Sequence, residues 1–240
     1  MIEYALIFSV VMLGGFVQGL TGFGSIMISL PLLSLMLDIK TVIPVISLLA
    51  LCLNSTVCYS VRRSISPGRL TVLLIATLPG LPLGAWALKY VSPESLTLLL
   101  GLLIVVFMGH QLLFRPARRE LGKPWAAVTG LTAGFLGGSI GANGPPIIVY
   151  VTSQPWPKDE IKATLAGYFL MAGIGISGSH YFFGMITPDV IDLFLRLVPA
   201  LALGMLLGIK CYGKLSEDIF RRAAMILAFG LGLMITFKAI

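Results

Sequence analysis

Apolar residues fill most of the chain, in stretches at roughly 3–20, 25–37, 40–61, 69–90, 93–114, 125–139, 145–153, 160–184, 189–209 and 219–238. The longer stretches approach the length at which an α-helix crosses a hydrocarbon layer about 30 Å thick. Two regions do not fit that simple pattern. As one helix, residues 3–37 would run roughly 50 Å, too long for a single crossing, and residues 125–153 pose the same problem. Each is interrupted by glycine, in GLTGFG at 19–24 and GGSIGANGPP at 137–146. The pieces beginning at 25 and 145 are too short to span comfortably, so each region is expected to be a hairpin of two helices, re-entrant or fully spanning.

The basic residues test that expectation. If both regions fold back, one side of the membrane holds Arg62, Arg63, Arg69, Arg115, Arg118, Arg119, Lys123, Lys158, Lys162, Lys210, Lys214, Arg221 and Arg222, and the other holds Lys40, Lys89, Arg196 and Lys238. That is thirteen against four; eight simple crossings would give nine against eight. Short cytoplasmic loops are enriched in Lys and Arg, so the hairpin topology is preferred. It puts the basic loops in the cytoplasm and both termini outside.

The two halves repeat at an offset near 120. Gly15-Phe16 matches Gly134-Phe135, Gly19 matches Gly138, and Gly22 matches Gly141. Further on, Ser66-Pro67 matches Thr187-Pro188, Lys89 matches Lys210, and Pro79-x-Leu81-x-Leu83-Gly84 matches Pro199-x-Leu201-x-Leu203-Gly204. Repeat 1 covers 1–114 (hairpin 3–37, helices 40–61, 69–90 and 93–114). Repeat 2 covers 125–240 (hairpin 125–153, helices 160–184, 189–209 and 219–238), after a basic cytoplasmic linker at 115–124. Three crossings per half invert the second half relative to the first. The expected fold class is therefore an all-α polytopic membrane protein with an inverted-topology repeat, each half a glycine-broken hairpin plus three spanning helices. Broken helices at corresponding positions of such repeats point to a transporter's substrate site.

In GGSIGANGPP, glycine permits a tight turn, Asn143 suits a helix cap, and Pro145 suits the first turn of a new helix. A helix start inside lipid leaves N–H groups and a positive dipole end that need a partner, and a small anion supplies one. The first break makes the same offer, with Ser25 as its cap. The expected substrate groups are Gln18, Thr21, Gly22, Phe23, Gly24 and Ser25 from the first break and Ser139, Gly141, Ala142, Asn143 and Gly144 from the second. Asn54 and His180 are further lining candidates, Asn54 equally suited to bridging helices. The two opposed tips are expected to meet near the midplane. The small-residue pairs Gly80/Gly84, Ala200/Gly204, Gly130/Gly134 and Gly204/Gly208 are assigned to helix packing.

Composition agrees with this picture. The 240 residues are 57% hydrophobic and 11% charged, with a mean hydropathy of +0.98. The net charge of +7 is explained by membrane topology, so no nucleic-acid partner is expected. MIEYALIFSV lacks a basic start and reads as a retained segment, not a cleaved signal. Cys52, Cys58 and Cys211 have no metal spacing and are expected to be small buried hydrophobes. No metal or cofactor is expected.

The motifs GFVQGLTGFGS (15–25) and GFLGGSIGANGPP (134–146) resemble the TauE/SafE family of sulfite and organosulfonate exporters, and the resemblance covers nearly the whole chain. It implies a transporter of sulfite, sulfoacetate or a related sulfur-containing anion in the bacterial cytoplasmic membrane. An importer of a small organic or sulfur oxyanion, and a membrane scaffold without transport, are the competing readings; a homodimer is one open oligomeric state. A membrane enzyme is disfavoured. Every carboxylate lies at a segment end or in a loop, and only His110 and His180 remain as titratable candidates within the apolar runs. Export of an anion needs no proton, because the inside-negative potential already drives it outward. Lys89 and Lys210 are expected to snorkel, and Asp192 to pair with Arg196 one turn away.

Overall fold

The computed structural model describes residues 2–21, 25–61, 66–113, 119–212 and 217–239, apart from the side chains of 2, 21, 60 and 217–221. Eleven helices and no strand occur among them. They are α1 (Ile2–Thr21), α2 (Ser25–Ser34), α3 (Ile39–Val61), α4 (Pro67–Thr77), α5 (Gly80–Tyr90), α6 (Pro93–Leu113), α7 (Lys123–Ile140), α8 (Gly144–Ser153), α9 (Lys158–Phe182), α10 (Pro188–Cys211) and α11 (Glu217–Ala239). Seven helical stretches are long and apolar enough to cross a membrane, with α4 and α5 counting together as Pro67–Tyr90. The protein is thus a multi-pass helical membrane protein.

Both long apolar regions divide at their glycine breaks into a long helix and a short one. α1 has 20 residues and α2 has 10; α7 has 18 and α8 has 10. Ten residues rise about 15 Å, half a hydrocarbon layer. The second region returns to the side it left. The Gln154 carboxamide accepts from the Leu121 N–H (3.3 Å) and donates to the Leu121 carbonyl (3.2 Å), while the Arg119 N–H donates to the Ser153 carbonyl at 2.7 Å. In the first region, Gly14 lies against Ser29, whose hydroxyl donates to the Val10 carbonyl at 3.5 Å. α1 and α2 therefore run antiparallel.

The apolar stretch at 69–90 is two helices where one was expected. Pro79 supplies no N–H for the Ile75 carbonyl, and the chain kinks at Leu78-Pro79. The matching Pro199 sits inside an unbroken α10. At the kink, the Thr77 hydroxyl donates to the Leu73 carbonyl (2.8 Å) and meets the hydroxyl of fully buried Tyr168, also at 2.8 Å.

The helices pack as two compact units, and these units cross the sequence repeats. Unit 1 contains residues 1–49, 92–114 and 187–240; unit 2 contains 50–91 and 115–186. Within unit 1, α1 packs along α10 and α6 along α11; within unit 2, α7 packs along α4 and α5. Each hairpin's long helix thus lies against the second spanning segment of the other half of the sequence.

Glycine makes these contacts possible. A Cβ on Gly15 or Gly19 would strike the backbone of α10 at Leu201 and Met205, and one on Gly204 or Gly208 would strike Met12 and Phe16 of α1. In unit 2, Gly80 and Gly84 meet the backbone at Leu131 and Phe135, and Gly134 and Gly138 meet Thr77 and Leu81. The assignment of small-residue pairs to packing holds, and it extends to Gly15, Gly19 and Gly138 from the motifs themselves. Lipid tails are as apolar as leucine, so helices in a bilayer associate through such close contact instead of a hydrophobic drive.

Gly84→Leu or Gly204→Leu forces a side chain into a facing backbone that no rotamer change can relieve. Each is expected to cost about 3 kcal/mol, read as a lowered unfolding midpoint of the purified protein. Nothing approaches Gly178 or Gly230, so alanine at either should be neutral or stabilise by at most about 1 kcal/mol.

Candidate functional site: the two helix breaks

The first break follows α1. Gln18 is buried, and its Oε1 accepts from the Ser25 N–H at 3.4 Å. Gln18, not Ser25, therefore caps α2, and Ser25 is that helix's first residue. Thr21 ends α1; its side chain, together with Gly22, Phe23 and Gly24, lies outside the described residues. No lysine, arginine or histidine occurs in α1 or α2.

The second break is complete. α7 ends where Gly141 turns left-handed (φ 69°), and the N–H groups of Gly141 and Ala142 bond back to the carbonyls of Gly137 (3.1 Å) and Leu136 (3.2 Å). This satisfies carbonyls that a helix end would otherwise strand in an apolar setting. A third, on Gly138, meets Nε2 of fully buried His180 at 2.9 Å. A carbonyl only accepts, so Nε2 carries the proton in that contact. His180 thus reaches the break from α9 through the backbone of the motif.

Asn143 occupies the cap position of α8 but does not act as the expected cap. Its backbone is helical (φ −72°, ψ −14°) and its side chain makes no capping bond. Pro145 and Pro146 follow Gly144 in the first turn. Proline has no N–H, so this helix start keeps its dipole yet loses two donors it would otherwise show. The donors left are the N–H groups of Asn143 and Gly144 and the Asn143 carboxamide. Ala142 and Asn143 are buried and Gly144 is half-buried. Ser139 is fully buried, but its hydroxyl donates to the Phe135 carbonyl at 2.7 Å, inside its own helix.

Other candidates have structural partners. Asn54 Nδ2 donates to the Phe169 carbonyl at 3.5 Å, joining α3 to α9, which is the helix-bridging role. Lys89 Nζ donates to the Phe183 carbonyl at 2.9 Å, past the end of α9. Arg196 pairs with Asp192 at 2.8 Å as its spacing required. Arg69 pairs with Glu160 and stacks over Trp156, 4.3 Å from the ring centroid, tying α4 to the start of α9. Among the described residues no cluster could hold a metal ion. Cys52 is exposed and Cys58 and Cys211 are half-exposed. They are not the buried residues expected, because their faces of α3 and α10 point away from neighbouring helices.

The breaks also lie at a definite height along their partners. Gly15 lies against Leu201, near the middle of α10, and Gly134 lies against Thr77 and Gly80, the middle of α4–α5. Gly141 follows Gly134 by seven residues, about 10 Å along a helix. The turn at Gly141 therefore lies past the middle of α4–α5.

The fold defines the class: a multi-pass helical membrane protein whose two long apolar regions each divide into a long and a short helix. The family model described as "Sulfite exporter TauE/SafE" matches residues 7–235, and the chain belongs to that family of membrane transport proteins. No curated protein and no solved structure shows a match.

The left-handed backbone at Gly141 separates two substitutions. Gly141→Leu should destabilise the protein by about 1–2 kcal/mol through backbone strain alone, whereas Gly141→Asn, which tolerates that region, should cost less. Thermal unfolding of the two variants beside the parent checks the order.

Proposed function

We propose that the protein exports a small sulfur-containing anion, sulfite or an organosulfonate such as sulfoacetate, from the cytoplasm across the bacterial cytoplasmic membrane. The observation that carries this reading is the pair of glycine breaks at equivalent positions of the two repeats, in a chain of this family. Each break starts a helix within an apolar region, where an anion is a natural partner of the helix dipole and of the first-turn N–H groups other than the Ser25 N–H that Gln18 caps. The substrate groups are Gln18, Thr21, Gly22, Phe23, Gly24 and Ser25 of the first break and Gly141, Ala142, Asn143 and Gly144 of the second. Ser139 supports the turn from within its helix.

In this reading the basic loops face the cytoplasm and both termini face outward, following the charge asymmetry. The membrane potential drives an anion outward with about 2.3 kcal/mol per charge per 100 mV. No carboxylate lies mid-span to relay protons, so alternating access powered by the potential suffices. Within this mechanism the Asn143 carboxamide donates to the anion, and Gly141 shapes the turn that presents it.

Proteoliposomes loaded with labelled sulfite or methanesulfonate test the mechanism. An imposed potential, negative inside, should speed efflux, and Asn143→Ala should slow it at least about tenfold, the loss of one charge-assisted hydrogen bond. Efflux that ignores the potential and follows a pH gradient would contradict potential-driven export. Absence of any flux would favour a scaffold, and flux only inward would favour an importer.

A further inference from the structure

The last turn of α7 is held from two sides. On one, Gly138 lies so close to α5 that a Cβ there would strike the Leu81 carbonyl and the Ala85 nitrogen. On the other stands α9. A Cβ on Gly137 would meet the Ile176 side chain, and His180, one turn further along α9, bonds from Nε2 to the Gly138 carbonyl at 2.9 Å. His180 is fully buried. An unbroken helix would direct the Ala142 N–H to that carbonyl; here it goes to Leu136 instead, at 3.2 Å. A helix that ends in an apolar region strands such carbonyls, and His180 supplies the donor.

His180 is itself anchored. α9 closes just beyond it at Gly184, which is left-handed (φ 73°), and the Met185 N–H returns to the His180 carbonyl at 2.9 Å. Lys89 of α5 donates to the nearby Phe183 carbonyl, also at 2.9 Å. Nearer the start of α9, the Tyr168 hydroxyl meets the Thr77 hydroxyl at 2.8 Å, at the end of α4. Tyr168, Ala172, Ile176 and His180 recur every four residues and are all buried, so they form one stripe along α9. That stripe hydrogen-bonds at the α4–α5 kink and again at the second break.

The consequence for the break is geometric. Gly137 and Asn143 are neighbours across the turn, since a Cβ on Gly137 would also touch the Asn143 Cβ. A tilt of the last turn of α7 therefore moves the Asn143 side chain. The bond that fixes this turn needs a proton on Nε2 and not a charge, because imidazolium and the matching neutral tautomer both donate. We propose that His180 is a positioning residue for transport. It holds the Gly138 carbonyl as a hydrogen-bond donor, and through that carbonyl the orientation of Asn143, rather than carrying a proton. This rests on the reading of the second break as part of a substrate site.

Efflux of labelled methanesulfonate or sulfite from proteoliposomes, measured per folded protein, tests it with two variants. His180→Leu keeps the bulk and removes the donor; His180→Gln keeps a donor in the place of Nε2. Leucine should slow efflux about tenfold or more, and glutamine should restore it to within about threefold of the parent. In an Asn143→Ala background, His180→Leu should slow efflux by less than about a further threefold, because the two residues act at one place. Nitrogen NMR of the parent should find the His180 proton on Nε2, with the signal of the other histidine, His110, assigned by His110→Gln. Unchanged flux in His180→Leu, glutamine as slow as leucine, losses that multiply in the double variant, or a bare Nε2 would each overturn the role of His180 and leave the break as a site. A parent that moves neither anion would overturn both. If His180→Leu does not fold, His180→Gln and the position of the imidazole proton decide.

Discussion

Everything in this structure depends on how closely two helix backbones can approach where no hydrophobic force brings them together. α1 meets α10, and α7 meets α4 and α5, through glycines at which a single methyl group would collide with the facing chain. That contact fixes more than adhesion. It sets the register of each hairpin against a helix from the other repeat, and register sets how far along that helix the break lies. The same motif glycines that read as loop formers thus first act as packing surface; Gly15, Gly19, Gly134 and Gly138 are helical, and Gly141 is left-handed. Along the second motif the order is contact at Gly134, contact at Gly138, then the turn at Gly141.

Once a helix ends inside an apolar region, its stranded polar groups dominate the local energetics, because lipid offers no substitute for water. The two breaks solve this in different ways. At the first, Gln18 reaches across the turn to the Ser25 N–H. At the second, the carbonyl side is filled by Gly141, Ala142 and His180, while two prolines delete donors on the amide side. What remains there is a small set of neutral donors around Asn143. The fold supplies symmetry for packing, and the site departs from it.

Much of this was legible in the sequence, for physical reasons. Hydrophobic stretches of about 20 residues, the charge asymmetry of the loops and the glycine breaks each report directly on the bilayer, so the two hairpins and the spanning helices could be placed. The offset near 120 in glycine and proline exposed the repeat. Three things were not legible. The pairing of each hairpin with the opposite repeat is a long-range choice that no local pattern encodes. Hydrogen bonds such as His180 to Gly138 and Asn54 to Phe169 join residues 42 and 115 positions apart. The role of Asn143 was misread from a residue preference: the residue type suits a cap, but its helical backbone and the two following prolines leave its side chain uncommitted. The prolines were in plain view, and counting the N–H groups they remove would have shown how few donors this helix start keeps. The kink at Leu78-Pro79 was similarly visible as a proline, yet Pro199 sits in an unbroken helix, so context and not residue type decides.

The central proposal is that the second break, around Asn143, binds a small sulfur-containing anion. Thermal unfolding of the purified protein and of its Asn143→Ala variant, against sulfite, methanesulfonate, taurine, sulfate, thiosulfate and acetate, tests that claim most directly. A ligand present at about 100 times its Kd stabilises the native state by about 2.7 kcal/mol. The account predicts a selective rise with sulfite or the sulfonate in the parent and its loss in the variant. No rise with any of these anions, or an equal rise in parent and variant, would contradict it.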